Sequence, residues 1–328
     1  MARINDRGTG YSDVAVPPLG MGCWAIGGPF WHDATPLGWG ETEDGESAKA
    51  IQLAFDMGIR LFDTADVYGT GHSERILGRA LSRHRDEAVI ASKWGNTYDE
   101  TTRQLLTPDI TPGYMRRALE ATLRRLGTDH LDIYQFHLAD TEPADAEPLI
   151  GELESLVAAG KIRAYGWSTD DPRRAAAWAA GEHCAVVQHE LNVLRDTPEM
   201  LALAERQGWA SFNRGPLAMG LISDKYTPDT LLPDDDVRGR PAPDWMRYFE
   251  NGRPSPQWLS RRDAVRDVLT SGGRSPVQGA LAWIWARSPA TIPLPGFRTV
   301  DHVRENAGAL EYGPLDDSEM AEISRLLS

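Results

Sequence analysis

Leu131-Asp132-Ile133-Tyr134-Gln135-Phe136-His137 is a short apolar run that ends on a chemically capable side chain, and two others match it. Arg60-Leu61-Phe62-Asp63 ends on an aspartate and Ala88-Val89-Ile90-Ala91-Ser92-Lys93 on a lysine. Each run reads as a β-strand, and each is followed by turn-forming or polar sequence and then by a helical pattern. In parallel α/β folds the strand C-termini share one face, where active sites are built. Asp63, Lys93 and His137, with Tyr68 just past the first of these ends, are therefore predicted to converge.

Outward from these runs, strand and helix patterns alternate from residue 19 to the C-terminus. Strands are predicted at 19–24, 60–63, 88–93, 131–137, 162–168, 185–188, 209–212 and 291–294. Ser47 is expected to open a helix over 48–56, Thr111-Pro112 one over 113–126 and Ser275-Pro276 one over 277–287, with a last helix at 317–326. Eight such units in 328 residues predict one α/β domain over residues 1–328, a (β/α)8 TIM barrel. An open dinucleotide-binding sheet is the rival, but its glycine fingerprint is missing. Gly20-Met21-Gly22 runs into a Trp- and Gly-rich loop, and helical sequence resumes only near Ser47. A long irregular loop, 225–260, follows strand seven and reads as a functional lid or a disordered segment.

Composition excludes several classes. At 41% apolar residues the chain can bury a large core, and its net charge of -14 argues against nucleic acid or an anionic membrane as partner. Any anionic ligand must then find a local basic pocket. Met1–Gly10 lacks an apolar leader and no run spans a bilayer, so the expected location is cytoplasmic. Cys23 and Cys184 are too few for a disulfide framework and read as packing residues. His183-Cys184 and His189-Glu190 match no standard metal spacing, and no metal is expected.

Phe62-Asp63-Thr64-Ala65-Asp66-Val67-Tyr68-Gly69, with Ser73-Glu74 and Leu77-Gly78, resembles the signature of the aldo-keto reductases. Further matches follow in the family's order: Ser92-Lys93, Gln135-Phe136-His137, Gly160-Lys161-Ile162-Arg163, Gly166-Trp167-Ser168, Gln188, Gly215-Pro216-Leu217, Pro295-Gly296-Phe297-Arg298 and Glu305-Asn306. The resemblance covers essentially the whole chain and implies a (β/α)8 barrel that reduces carbonyls with NADPH and no metal.

The chemistry also follows from the residues. Carbonyl reduction needs a hydride on carbon and a proton on oxygen, so an acid must stand beside the nicotinamide. Tyr68 is the candidate acid, and a neighbouring Lys93 ammonium is expected to lower its pKa. Asp63 is the natural counterion for Lys93, and His137 is placed to bond the substrate oxygen or assist the proton transfer. The family implies the same four residues.

For the cofactor, the resemblance implies contacts from Gly22, Cys23, Trp24 and Asp63. Ser168 and Gln188 match residues that bond the nicotinamide carboxamide. Thr169 stands where the family commonly has Asn, and offers one hydroxyl instead of an amide. Arg214, before Gly215, stands where many relatives stack a Tyr on the nicotinamide. Its guanidinium either stacks or points elsewhere. Leu217 and Lys225 match positions near the pyrophosphate, although Asp224 replaces a frequent Gly. Gly296, Phe297 and Arg298 begin the loop after strand eight, where Arg298 would grip a 2'-phosphate and favour NADP(H) over NAD(H), with His302 and Asn306 beside adenine.

Two functional classes follow: a reductase of a small-molecule aldehyde, ketone or sugar-like carbonyl, or an NADP(H)-binding sensing or scaffolding subunit with little turnover. Specificity is expected from the loops at 25–46, 138–145 and 225–260, including Asp33, Arg238, Arg240 and Arg253. Trp24, Trp31 and Trp39 are expected to wall the substrate pocket, and Trp283 and Trp285 to pack in the core or at an interface. Substrate, reaction direction and oligomeric state stay open.

Overall fold

Eight short strands, each alternating between two environments, build the molecule in a computed structural model that describes residues 18–328. The N-terminal reading on Met1–Gly10 lies outside these residues. The strands are β1 (Gly20–Gly22), β2 (Leu61–Asp63), β3 (Val89–Trp94), β4 (Leu131–Phe136), β5 (Ile162–Ser168), β6 (Cys184–Glu190), β7 (Ala210–Arg214) and β8 (Thr291–Pro293). They pair in chain order, all parallel. Gly22 closes the ring: its N–H donates to the Pro295 carbonyl at 3.0 Å and it bridges Gly296 in parallel. The result is the predicted (β/α)8 barrel.

Because side chains alternate along a strand, every second residue faces the barrel axis. Leu61, Val89, Ala91, Ile133, Ala164, Val186, Phe212 and Ile292 fill that interior as one apolar cluster. The intervening residues, among them Phe62, Ile90, Tyr134, Trp167 and Val187, pack outward with the helices. Both faces of each strand are thus apolar, as parallel barrel sheets require. One further step of two residues brings Asp63, Lys93, Gln135, Gln188 and Arg214 onto the axis at the C-terminal mouth. The polar site is the top layer of the barrel's own packing pattern.

The helix signals hold with one exception. Thr111 caps Pro112–Leu126, its hydroxyl accepting from the Tyr114 N–H at 3.2 Å, and Gly127 closes that helix at φ 69°. Ser275 and Gln278 form a capping box on Pro276–Arg287, as Asp316 and Glu319 do on Asp317–Leu327. Ser47 opens nothing: the first helix spans Asp44–Asp56, with Ser47 buried in its first turn. Asp44 and Glu46, anions at the positive end of the helix dipole, favour the earlier start.

The loop after β7 is ordered and shorter than expected. Ser255-Pro256 starts a helix over Pro256–Leu269, so residues 256–260 are helical. Arg238, 6% exposed, anchors the rest: it pairs with Asp236 at 2.6 Å, donates to the Met219 carbonyl at 3.1 Å and lies 4.4 Å over the Trp39 ring. The Val237 N–H donates to the Gly38 carbonyl at 2.7 Å, tying this loop to the one after β1. The β1 and β3 loops share a small sheet of Trp31–His32, Thr35–Pro36, Tyr98–Asp99 and Gln104–Leu105. Trp283 is buried, and Trp285 donates to the Pro18 carbonyl at 2.6 Å.

Candidate active site

Lys93 is fully buried, a costly place for an ammonium unless every proton has a partner. Its Nζ donates to Asp63 Oδ2 at 2.6 Å, to the Thr64 carbonyl at 2.7 Å and to the Tyr68 hydroxyl at 3.3 Å, which uses all three. Burial opposes the charge on Lys93, yet the Asp63 carboxylate and the Tyr68 hydroxyl outweigh it and hold the ammonium above its usual pKa. Asp63 Oδ1 accepts from Gln135 Nε2 and from Gln188 Nε2, both at 2.9 Å, and Gln188 Nε2 also reaches Gln135 Oε1 at 3.2 Å. The Gln188 amide nitrogen is thereby spent.

The turn from Asp63 to Gly69 sets Tyr68 against this group. Gly69 adopts φ +57°, and a Cβ there would lie 1.7 Å from the Gly27 carbonyl oxygen, so only glycine fits. Thr64 and Ser73 hydroxyls meet at 2.9 Å and Ser73 donates to the Cys23 carbonyl at 2.8 Å. Glu74 accepts from Ser92 and from Arg125 at 2.6 Å each, pinning the helix behind the turn to β3. The Trp24 ring stacks beside Tyr68 at 5.9 Å and 22°, and His137 meets it edge-on at 5.9 Å and 85°.

The hydrogen bonds fix the direction of the tyrosine. Its oxygen accepts from Lys93, so its own hydrogen is free for an acceptor in the cavity. Burial pushes the Tyr68 phenol above its usual value; Lys93 pulls it down and Asp63 adds to the rise. The expected Lys93 effect is present with the expected sign, but desolvation exceeds it, and Tyr68 is a neutral donor at neutral pH. His137 sits well below its usual pKa because of burial first, then the Lys93 and Arg214 charges, so it is a neutral imidazole. Its buried Nδ1 has no hydrogen-bond partner among the described residues.

A cavity of about 1120 Å³ opens above these groups. Asp63, Tyr68 and His137 line it, with Gly22, Trp24, Ser168, Gln188, Arg214, Gly215, Leu217, Lys225, Gly296, Phe297, Arg298, His302 and Asn306. Cys23 and Thr169 do not. The Cys23 side chain is fully buried beside the Met21 carbonyl, and the Thr169 hydroxyl donates to the Ala139 carbonyl at 2.8 Å while accepting from the Asp171 N–H. Arg214 is held by Asp170 at 2.7 Å, and Asp224, which lines the cavity too, pairs with Arg266 at 2.7 Å. Lys225 and Arg298 bring positive charge to the far end: burial first, then the Lys225 charge, depresses His302, with Glu305 opposing and Arg298 adding to the fall. The Arg298 guanidinium donates to the Trp39 carbonyl at 2.8 Å and to the Glu41 carbonyl.

Among the other loop candidates, Trp24 and Trp39 reach the cavity, whereas Trp31, Asp33, Arg240 and Arg253 do not. Arg238 reaches it with its guanidinium already used. Residues without a predicted role also belong to the site, among them Gln135, Asp170 and Trp245. A glutamine inside the apolar run Tyr134-Gln135-Phe136 was a usable signal, since a polar residue at a strand's inward phase needs a partner. The other two lie in loops without periodicity.

A closed (β/α)8 barrel with paired acid-base groups at its C-terminal mouth defines a barrel enzyme. The profile described as "Aldo/keto reductase family" matches residues 18–328, and the chain belongs to that family of oxidoreductases. An aldo-keto reductase of Schizosaccharomyces pombe whose name specifies NADP(+) is 28% identical over 94% of this chain and 87% of its own. The glycerol dehydrogenase of Gluconobacter oxydans superposes with TM-score 0.80 at 30% identity, covering 96% of this chain and 92% of its own. An aldo-keto reductase of Klebsiella pneumoniae in complex with NADPH gives TM-score 0.69 at 27% identity over 95% and 92%. Among the described residues, no helix is long and apolar enough to cross a membrane.

Proposed function

We propose that this chain reduces an aldehyde or ketone to the alcohol with NADPH, and that Tyr68 donates the proton. One observation carries the reading: Lys93 donates to the Tyr68 oxygen, which leaves the phenol hydrogen directed at the cavity. A substrate carbonyl oxygen placed between Tyr68 and His137 would accept from both, given that the neutral imidazole carries one N–H. When bound, the nicotinamide supplies the hydride to the carbonyl carbon. As negative charge grows on the carbonyl oxygen, Tyr68 releases its proton and Lys93 stabilises the phenolate. Asp63 keeps Lys93 charged and fixed throughout.

The cavity suits a dinucleotide as well as a substrate. Its volume exceeds the several hundred Å³ typical of a single small ligand. Lys225 and Arg298 lie at one end for phosphates, and Ser168 and the spare Gln188 Oε1 lie at the other for an amide. Arg298 would exchange its two carbonyl partners for the 2'-phosphate, giving NADP(H) preference over NAD(H), in keeping with the NADP(+) and NADPH attached to the relatives. A cytoplasmic enzyme fits two free, buried cysteines. A sensing subunit would not need the phenol hydrogen kept available.

The test is titration with NADPH and with NADH, followed by turnover on an aldehyde and ketone panel. The reading expects NADPH to bind about tenfold or more tighter, as one charge-assisted phosphate pair supplies. It also expects NADPH oxidation with at least one carbonyl; binding of neither nucleotide would overturn it.

A further inference from the structure

Trp24 is locked: its Nε1 donates to the Leu37 carbonyl at 3.0 Å, and Trp39 meets it edge-on at 5.3 Å. Trp245 approaches Trp24 at 6.0 Å and 50°, lines the same cavity, and is 49% exposed. Trp245 makes no hydrogen bond among the described residues. Half-exposed indole leaves on the order of 100 Å² of apolar surface open, which a soluble fold gains nothing by displaying.

Two residues on, Arg247 lines the cavity as well, with Met246 between them buried against the loop's own apolar cluster. Of the described arginines lining the cavity, Arg174, Arg214, Arg238 and Arg298 are each hydrogen-bonded to protein. Among the described residues Arg247 has no such bond, and its nearest carboxylate oxygen is Glu190 Oε2 at 3.9 Å. Glu190 is already engaged by Arg195, Tyr248 and Asn192. Asp170 is shared by Arg214 and Arg195. Arg195, Arg214 and Arg247 thus share Asp170 and Glu190, and of the three only Arg247 lacks a hydrogen bond to either among the described residues.

Anchors on both sides hold this segment: Arg238 on Asp236 before it, and the Tyr248 hydroxyl, which accepts from Asn192 Nδ2 at 2.9 Å, after it. An open indole beside an open guanidinium, on a fixed segment bordering the proton donor, matches a planar apolar body that carries an anion. Resting on the reductase reading, we infer that Trp245 and Arg247 determine substrate specificity and that the substrate class is an aromatic aldehyde or ketone bearing a carboxylate.

The experiment measures kcat/KM with NADPH for the carboxybenzaldehyde isomers, benzaldehyde and butanal, in the wild type and in Arg247→Met and Trp245→Ala. Benzaldehyde turnover within each variant is its own folding control, so ratios are read. Arg247→Met is expected to lower the ratio of the best carboxybenzaldehyde to benzaldehyde by about tenfold or more, the worth of a charge-assisted pair. Trp245→Ala is expected to lower the benzaldehyde to butanal ratio by roughly fivefold to tenfold. Benzaldehyde turnover with both ratios within about twofold of wild type would overturn the inference alone. No turnover of any of these aldehydes by a wild type that oxidises NADPH with another carbonyl would likewise overturn the inference alone, whereas a wild type that binds neither nucleotide overturns the reductase reading and the inference with it.

Discussion

Replacing Asp63 by Asn keeps the side chain's size but removes the carboxylate bonded to a fully buried ammonium, the only one among the described residues. No cavity opens, so the cost isolates the charge. Breaking a buried ion pair by neutralising one partner costs about 3–5 kcal/mol. With an unfolding entropy near 2 cal/mol/K per residue over a chain of this length, that is a fall in Tm of about 4–7 °C. Lys93→Met should cost a similar amount, because Asp63 then keeps only its two glutamine donors. In the double variant no unpaired charge remains, so its loss should fall short of the summed single losses by about 2–3 kcal/mol. Calorimetry on the four proteins closes the cycle. Single losses that add to within about 0.5 kcal/mol would refute the view that Asp63 exists to hold Lys93 charged.

Three further outcomes follow from the geometry. His189 is buried on the outward phase of β6, bonded to Ser211 at 2.7 Å, and burial depresses its pKa to about 4. The unfolded chain takes up a proton near pH 6.5 that the folded one refuses, so stability is lost as pH falls from there to about 4, by about 3 kcal/mol for this group. His189→Gln should flatten the urea-denaturation profile over that window relative to wild type; parallel profiles would contradict the assignment. Gly69→Ala must move backbone at Gly27, and should cost about 2 kcal/mol or more and lower kcat by displacing Tyr68. A Tm and kcat like wild type would show that the turn yields. Arg298→Ala should weaken NADPH by about tenfold to a hundredfold and NADH far less, as titration would read; equal losses for both would remove the 2'-phosphate from its role.

The barrel was legible because its strands are short, apolar on both phases and separated by capped helices. Thr111-Pro112 and Ser275-Pro276 mark their helices because a side-chain acceptor before a proline satisfies the first turn. The candidate site was legible because Asp63 and Lys93 stand one period of two above the apolar filling of β2 and β3, with His137 just past β4 and Tyr68 in the turn after β2. What escaped lacked such a rule. Strands of two residues, such as Trp31–His32, carry no period. Ser47 is a good capping type in the wrong turn, outcompeted by acids upstream. Ser255-Pro256 had the same form as the successful signals but sat in a segment rich in loop residues. Cys23 and Thr169 stand beside site residues in sequence, yet their side chains are taken up by backbone carbonyls in the wall, those of Met21 and Ala139. The net pKa of Tyr68 depends on how deeply the fold buries it, which no local motif encodes.

Tyr68→Phe removes one oxygen, leaving Lys93 bonded to Asp63 and Thr64 and the ring in place beside Trp24. Single-turnover reduction of an aldehyde by the NADPH-loaded variant, with NADPH affinity measured on the same preparation, tests the proton-donor claim most directly. Affinity near that of wild type with the hydride step slowed by about a hundredfold to ten-thousandfold is the predicted result. A hydride step within a few fold of wild type would contradict it, and the proton would have to come from elsewhere.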